Sequence, residues 1–126
     1  MKRFLLLYLV TPVFVLFSLN VSAQSWSPCG SGMGQTVYAL CADTVNNVVY
    51  AGGAFARAGG AMVNYVAQWN GTTWAPMGMN MGSNYSMIGT NDTVMALCIY
   101  KGNLYAGGHF TTAEGNAAQH IAMWNG

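Results

Sequence analysis

Residues 50–71, YAGGAFARAGGAMVNYVAQWNG, recur as residues 105–126, YAGGHFTTAEGNAAQHIAMWNG, in a gap-free alignment at a spacing of 55. Eleven of the twenty-two positions are identical, among them Tyr50/Tyr105, Gly52/Gly107, Gly53/Gly108, Phe55/Phe110, Trp69/Trp124, Asn70/Asn125 and Gly71/Gly126. A repeat of this size is one supersecondary unit used twice. Such a unit cannot bury its apolar face alone and gains stability by stacking on a neighbour.

Upstream of each copy lies an apolar run, residues 36–42 and 93–99, now at a spacing of 57. Near-continuous apolar character over seven residues predicts a strand buried on both faces, the innermost of its unit. The change in spacing falls in the turn at residues 43–47, which is longer than the turn around Lys101-Gly102-Asn103. Length variation confined to a turn supports strand, turn, strand. Residues 48–55 and 103–110 form the second strand, ending in the pairs Gly52-Gly53 and Gly107-Gly108. Glycine weakens a strand unless something approaches closely, and Tyr65 and Trp69 are the expected cover. In the third strand, residues 63–70, a period of two places Tyr65, Ala67 and Trp69 on one face.

Asn70-Gly71 predicts a two-residue hairpin with both turn residues at positive φ. It leads into Thr73-Trp74-Ala75-Pro76-Met77-Gly78, where proline marks an edge strand. This outer stretch has its own echo, Ser25-Trp26-Ser27-Pro28-Cys29-Gly30, read as a leading outer-type strand. Each unit is thus four antiparallel strands in chain order, and the second copy stops at Asn125-Gly126 without its outer strand.

With 53% hydrophobic and 6% charged residues, the chain has the composition of a folded protein rather than a disordered one. Its first 23 residues read as a signal-peptide helix: basic Lys2 and Arg3, an apolar run over 4–17, and Val21-Ser22-Ala23 before the cleavage point. The apolar run falls short of the roughly 20 residues of a membrane span, and Thr11 and Pro12 interrupt it. The expected order is signal peptide (1–23), leading strand and glycine-rich link (24–35), first repeat (36–78), Met- and Asn-rich loop (79–92), and second repeat (93–126). Beyond the signal, Arg57 and Lys101 face Asp43, Asp92 and Glu114, a net charge of −1. Two cations cannot neutralise a run of phosphates, which excludes a nucleic-acid partner. A membrane is expected to be met only during export.

Three cysteines, Cys29, Cys41 and Cys98, are an odd number for an exported protein. Cys41 and Cys98 share one repeat position and are expected as small buried side chains, as is Cys29 opposite Met77. No close pair of Cys or His has zinc-ligand spacing, and Met79, Met81 and Met87 have no Cys or His among them to complete a copper site. His109 stands in the slot of Ala54 and His120 in that of Tyr65, so the repeat itself requires neither. His120 is expected to pack with one hydrogen bond, and His109 to serve as a surface contact. Asp43 and Asp92 fall at turns, where Asp bonds its own backbone. Nothing pairs carboxylates for glycoside hydrolysis or sets a nucleophile beside a base. No catalytic residue, cofactor or metal ligand is assigned.

An inner strand, a strand ending in Gly-Gly, then an aromatic residue and a Trp around a tight turn resemble the blades of kelch-type β-propellers, including the propeller domain of galactose oxidase. The pattern is more similar still to the repeats of large secreted bacterial propeller proteins, roughly LYAGG-F-x-x-AGG…IA-x-WNG-x-x-W-x-x-LG. Residues 50–78 match it almost throughout, and residues 104–126 match it as far as they run.

The resemblance implies an all-β fold of four-stranded antiparallel propeller blades, about two of them here. The repeat motif would be Gly52, Gly53, Tyr65, Trp69, Asn70, Gly71 and Trp74 in the first, and Gly107, Gly108, Trp124, Asn125 and Gly126 in the second. Propellers close with four to eight blades. The resemblance therefore also implies further blades in a longer chain, of which this is an amino-terminal fragment whose residues 25–29 complete the last blade. Implied too are secretion from, or display on, a Gram-negative bacterium and a non-catalytic scaffold for a protein or glycan ligand. The alternative is the propeller part of a secreted carbohydrate-active or oxidase-like enzyme, with catalytic residues outside this chain. The copper site and Cys–Tyr crosslink of galactose oxidase match no residues here, so the resemblance carries fold and not catalysis.

Overall fold

The computed structural model describes residues 24–78 and 89–126. The expectations for the signal segment and for Met79, Met81 and Met87 lie outside the described residues. Within them every named element is a strand. The first repeat contains β1 (Val37–Asp43), β2 (Val48–Gly53), the short β3 (Arg57–Ala58) and β4 (Ala61–Met62), then β5 (Val66–Trp69) and β6 (Trp74–Pro76). The second contains β7 (Val94–Tyr100), β8 (Asn103–Gly108), β9 (Thr112–Ala113), β10 (Asn116–Ala117) and β11 (Ile121–Trp124). Two antiparallel sheets result, β1-β2-β5-β6 and β7-β8-β11, each with a two-stranded ribbon, β3-β4 or β9-β10, in the connection after its second strand.

The repeat in sequence is a repeat in hydrogen bonding. Gly53 N–H donates to Tyr65 O and Gly108 N–H to His120 O, both at 3.0 Å. Tyr65 N–H reaches Phe55 O at 2.7 Å, and His120 N–H reaches Phe110 O at 2.9 Å. Ala54 N–H and His109 N–H donate to Thr36 O and Thr93 O, each at 2.9 Å. The first strand of each sheet carries an irregularity at the same place, between Val37 and Ala39 and between Val94 and Ala96. These bonds draw the glycine pair, the phenylalanine after it and the Tyr65/His120 position into one tight corner. There Tyr65 and His120 take φ of 69° and 63°. Tyr65 therefore precedes the third strand rather than belonging to it, and only Ala67 and Trp69 keep the alternation expected of them.

The second sheet lies against the first, with β7 across β1 and β2. What covers the glycines differs from the expectation. A methyl carbon at Gly52 would stand 2.5 Å from Val94 Cγ1 and 3.3 Å from Leu97 Cδ1, so β7 of the next unit, not Tyr65 or Trp69, occupies that space. Gly53 is pressed against Thr36 O and the Phe55 ring. The core between the sheets gathers Tyr50, Val66 and Met77 from one side and Val94, Leu104, Ala106 and Phe110 from the other. A second cluster, Ala51, Phe55, Ala58, Val63 and Ala67, lies on the opposite face of the first sheet under Met33 and Trp74.

Burial of the first strands also departs from the expectation. β1 and β7 stand first in hydrogen-bonding order, as expected, but Leu40 is 66% exposed. The apolar run was written for neighbours on both faces, and among the described residues each strand has a neighbouring sheet on at most one. Residues 24–29 form no strand, and Trp26 is fully exposed. The Asn70-Gly71 turn is longer than expected. Trp69 pairs with Trp74 across four residues, Gly71 has φ 97°, and Asn70 Oδ1 accepts the N–H groups of Thr72 (3.0 Å) and Thr73 (2.8 Å). An asparagine side chain thus closes the turn by imitating a backbone acceptor.

Asp43 does the same work in the β1–β2 turn. Asn46 Nδ2 donates to Oδ2 at 2.7 Å, and the N–H groups of Asn46 and Val45 donate to Oδ1 at 3.0 Å. These bonds, led by those from Asn46, hold the carboxyl below its ordinary value. A carboxylate whose pKa falls on folding stabilises the fold above its unfolded pKa of about 3.9 and loses that contribution as pH drops through the folded value. Asp43→Ala is therefore expected to lower the melting temperature at neutral pH and to flatten its fall on acidification below about pH 4. Unchanged acid dependence in thermal melts would refute this assignment.

Candidate functional site

Chemistry-bearing residues come together in two places. The first is a slot of about 350 Å³ between the sheets, unfilled among the described residues. Val66 and Met77 wall it from the first sheet, and Leu104, Ala106, Ala122 and Trp124 from the second, with Thr90 and Glu114 also lining it. The repeat shows what fills the corresponding place in the first unit. Ala106, Ala113, Ala122 and Trp124 match Ala51, Ala58, Ala67 and Trp69, and in the first unit that surface is covered by Trp74 and Met33. Trp74 stacks on Trp69 with ring centroids 5.2 Å apart and planes tilted by 45°. Its Cβ would lie 3.2 Å from a methyl at Gly59. Its Nε1–H donates to Cys29 O at 3.0 Å. The slot in the second unit is the volume that Trp74 fills in the first. Its outer wall is β11, whose far edge has no strand partner among the described residues.

The second place is a polar rim at the corner of the second unit. Asn91 Oδ1 accepts Thr111 N–H at 2.8 Å and Thr112 N–H at 2.9 Å, while Asn91 Nδ2 donates to Thr111 Oγ1 at 3.0 Å. Asp92 Oδ1 accepts Thr93 N–H at 2.6 Å. That bond, and to a smaller degree the field of His109, hold the Asp92 carboxyl below its ordinary value. His109 is exposed here. The same positions in the first unit are Gly34, Gln35, Ala54 and Ala56, so the cluster of an amide, an acid, an imidazole and a hydroxyl belongs to the second unit alone.

No family model, no curated protein and no solved structure matches this chain.

The remaining singled-out residues divide between scaffold and surface. Gly52, Gly53 and Gly108 sit where a side chain would collide with neighbours, whereas a methyl at Gly107 would meet only His120 O, at 3.8 Å. Gly71 and Gly126, at φ 97° and 103°, follow Asn70 and Asn125. His120 is exposed, and its backbone rather than a packed ring makes the corner bonds, which corrects the expectation for its side chain. The cysteines are free thiols. Cys41 packs at the edge of the inter-sheet core, but Cys29 and Cys98 are exposed and fill no apolar slot. Among the described residues, no group of three His, Cys, Asp or Glu could hold a metal ion. Asn91 was missed in the sequence. The signal that could have found it is the substitution of a polar residue for Gly34 at a repeat position, beside the parallel change of Ala54 to His109.

Proposed function

We propose that the two sheets are consecutive blades of a kelch-like β-propeller scaffold, exported and held at the cell surface or released, that binds a protein or glycan without catalysing a reaction. One observation supports the reading above others. The second unit repeats the hydrogen bonds of the first and seats its β7 over Gly52, so the stack has a direction and can be extended by further units. Rigid repeated sheets with short connections are a common way to position variable loops for recognition. The rim of Asn91, Asp92, His109 and Thr111 is the proposed contact, because its polar groups exceed what the repeat requires. Exposed donors and acceptors of both kinds suit hydroxyl-rich or peptide ligands.

The test is an array of surface polysaccharides and extracellular proteins probed with the purified chain. Saturable binding to at least one class is expected. The double substitution His109→Ala with Asp92→Asn should weaken it by about tenfold, equivalent to about 1.4 kcal/mol, with the strand signal in circular dichroism retained. Absence of saturable binding, or binding indifferent to the double substitution, would count against the proposal.

A further inference from the structure

We infer that Thr44, in the turn between β1 and β2, is an O-glycosylation site whose hydroxyl takes a sugar from a phosphate-activated donor. The turn is longer than the fold needs. Lys101 and Gly102 suffice to join β7 to β8, whereas residues 44–47 join β1 to β2. Gly, Asn, Asp and Ser dominate turns because they supply special backbone angles or local hydrogen bonds. Asp43 and Asn46 do that work here, and Asn47 takes the positive φ of 54°. Thr44 and Val45 lend no side chain to it. Val45 is 87% exposed, and the exposed Thr44 hydroxyl makes no hydrogen bond among the described residues. A transferase would therefore meet a loop fixed by its own acid, with one free hydroxyl beside one apolar contact.

The same tripeptide stands elsewhere with the opposite outcome. Asp92-Thr93-Val94 repeats Asp43-Thr44-Val45 at a spacing of 49, outside the register of the structural repeat. Val94 is fully buried over Gly52, and Thr93 is half-buried with its hydroxyl donating to the Asp92 carboxyl. Folding removes the second tripeptide from reach and leaves the first. Other exposed threonines are engaged: the hydroxyls of Thr72 and Thr73 donate to Asn70 Oδ1, and Thr111 Oγ1 accepts from Asn91.

The group that suits Thr44 is uncharged. A phosphate is ordered by a cation that pairs with it. Beyond the expected signal segment the chain has two cations; Arg57 donates to Gly60 O at 3.1 Å, and Lys101 lies 5.3 Å from the centre of the Tyr100 ring. A sugar needs no counter-ion, covers Val45, and adds hydrophilic surface to a chain with 6% charged residues. In the transfer Thr44 Oγ1 attacks the anomeric carbon. The bond from that carbon to the donor's phosphate oxygen breaks, the phosphate leaves with the electron pair, and the hydroxyl proton passes to a base of the transferase.

The inference rests on the reading of the chain as exported, and intact mass of the chain purified from the cells that encode it reads the two separately. Loss of residues 1–23 reports export, and an excess equal to a whole number of sugar residues reports glycosylation. Alkaline β-elimination with peptide mass spectrometry is expected to place the eliminated residue at position 44 and an intact threonine at position 93. Thr44→Ala should lose the excess entirely, and Thr44→Ser, which keeps the nucleophile, should retain it. A processed chain at its plain sequence mass, an excess that persists in Thr44→Ala, or a sugar on Thr93 instead would overturn the inference and leave export standing. An unprocessed chain without sugar overturns both, and an unprocessed chain that carries the sugar overturns export alone.

Discussion

Gly52→Val is expected to destabilise the protein by about 3 kcal/mol, while Gly107→Val, at the same repeat position, is expected to stay within about 1 kcal/mol of zero. The two sites have the same local sequence, Tyr-Ala-Gly-Gly, and the same place in the second strand of a sheet. They differ in what lies above them. A Cβ at Gly52 would come 2.5 Å from Val94 Cγ1 and 3.1 Å from Val94 Cβ, and Val94 is itself fully buried. A branched side chain there must push β7 off the first sheet and open the inter-sheet core. At Gly107 the added methyl is in ordinary contact with one carbonyl oxygen, and valine suits a strand better than glycine does. Urea titrations at low protein concentration, followed by tryptophan fluorescence, measure both. Equal midpoints for the two variants would mean that the sheets do not stack over Gly52.

A loss of similar or greater size is expected at the two phenylalanines. Phe55→Ala and Phe110→Ala should each cost about 3–5 kcal/mol, because both rings are fully buried and truncation leaves a cavity in a tightly bonded corner. The whole stability of a small domain is about 5–15 kcal/mol, so either change could leave the chain largely unfolded at room temperature. The two substitutions act on different clusters. Phe110 belongs to the core between the sheets, and Phe55 to the cluster under Met33 and Trp74. Leucine at each site should recover most of the loss, since it restores much of the buried volume. Chemical denaturation with circular dichroism checks both pairs. A Phe110→Ala midpoint within error of wild type would refute the packing of that ring.

Much of the local structure was legible before any coordinates. The drop in repeat spacing from 57 to 55 located the β1–β2 turn as the longer one, and Asp43 with its three hydrogen bonds and the Lys101-Gly102 turn both lie where the sequence placed them. Pairing of each strand with its predecessor followed from the turn residues, apart from the β3-β4 and β9-β10 ribbons, which read as loop because each strand is only two residues long. The Asn70 turn was misjudged because a backbone rule for Asn-Gly ignores what the asparagine oxygen can accept. Tyr65 was misjudged because alternation cannot reveal that its φ is 69°. The slot was not legible in the sequence, because a cavity depends on how two units pack and not on the pattern within one.

The sequence by itself determined that the chain makes one antiparallel unit twice, with its strand order and the positions of its turns, because alternation and turn chemistry act over a few neighbouring residues. It did not determine burial. Leu40 and Leu97 hold one repeat position, as do Tyr50 and Tyr105, and Cys41 and Cys98, yet in each pair one member is more buried than the other. Only the tertiary structure decided that, because a face is buried when another sheet, distant in the chain, lies on it. The same stacking decided that β7 covers Gly52 and that the matching glycine in the second sheet lies open.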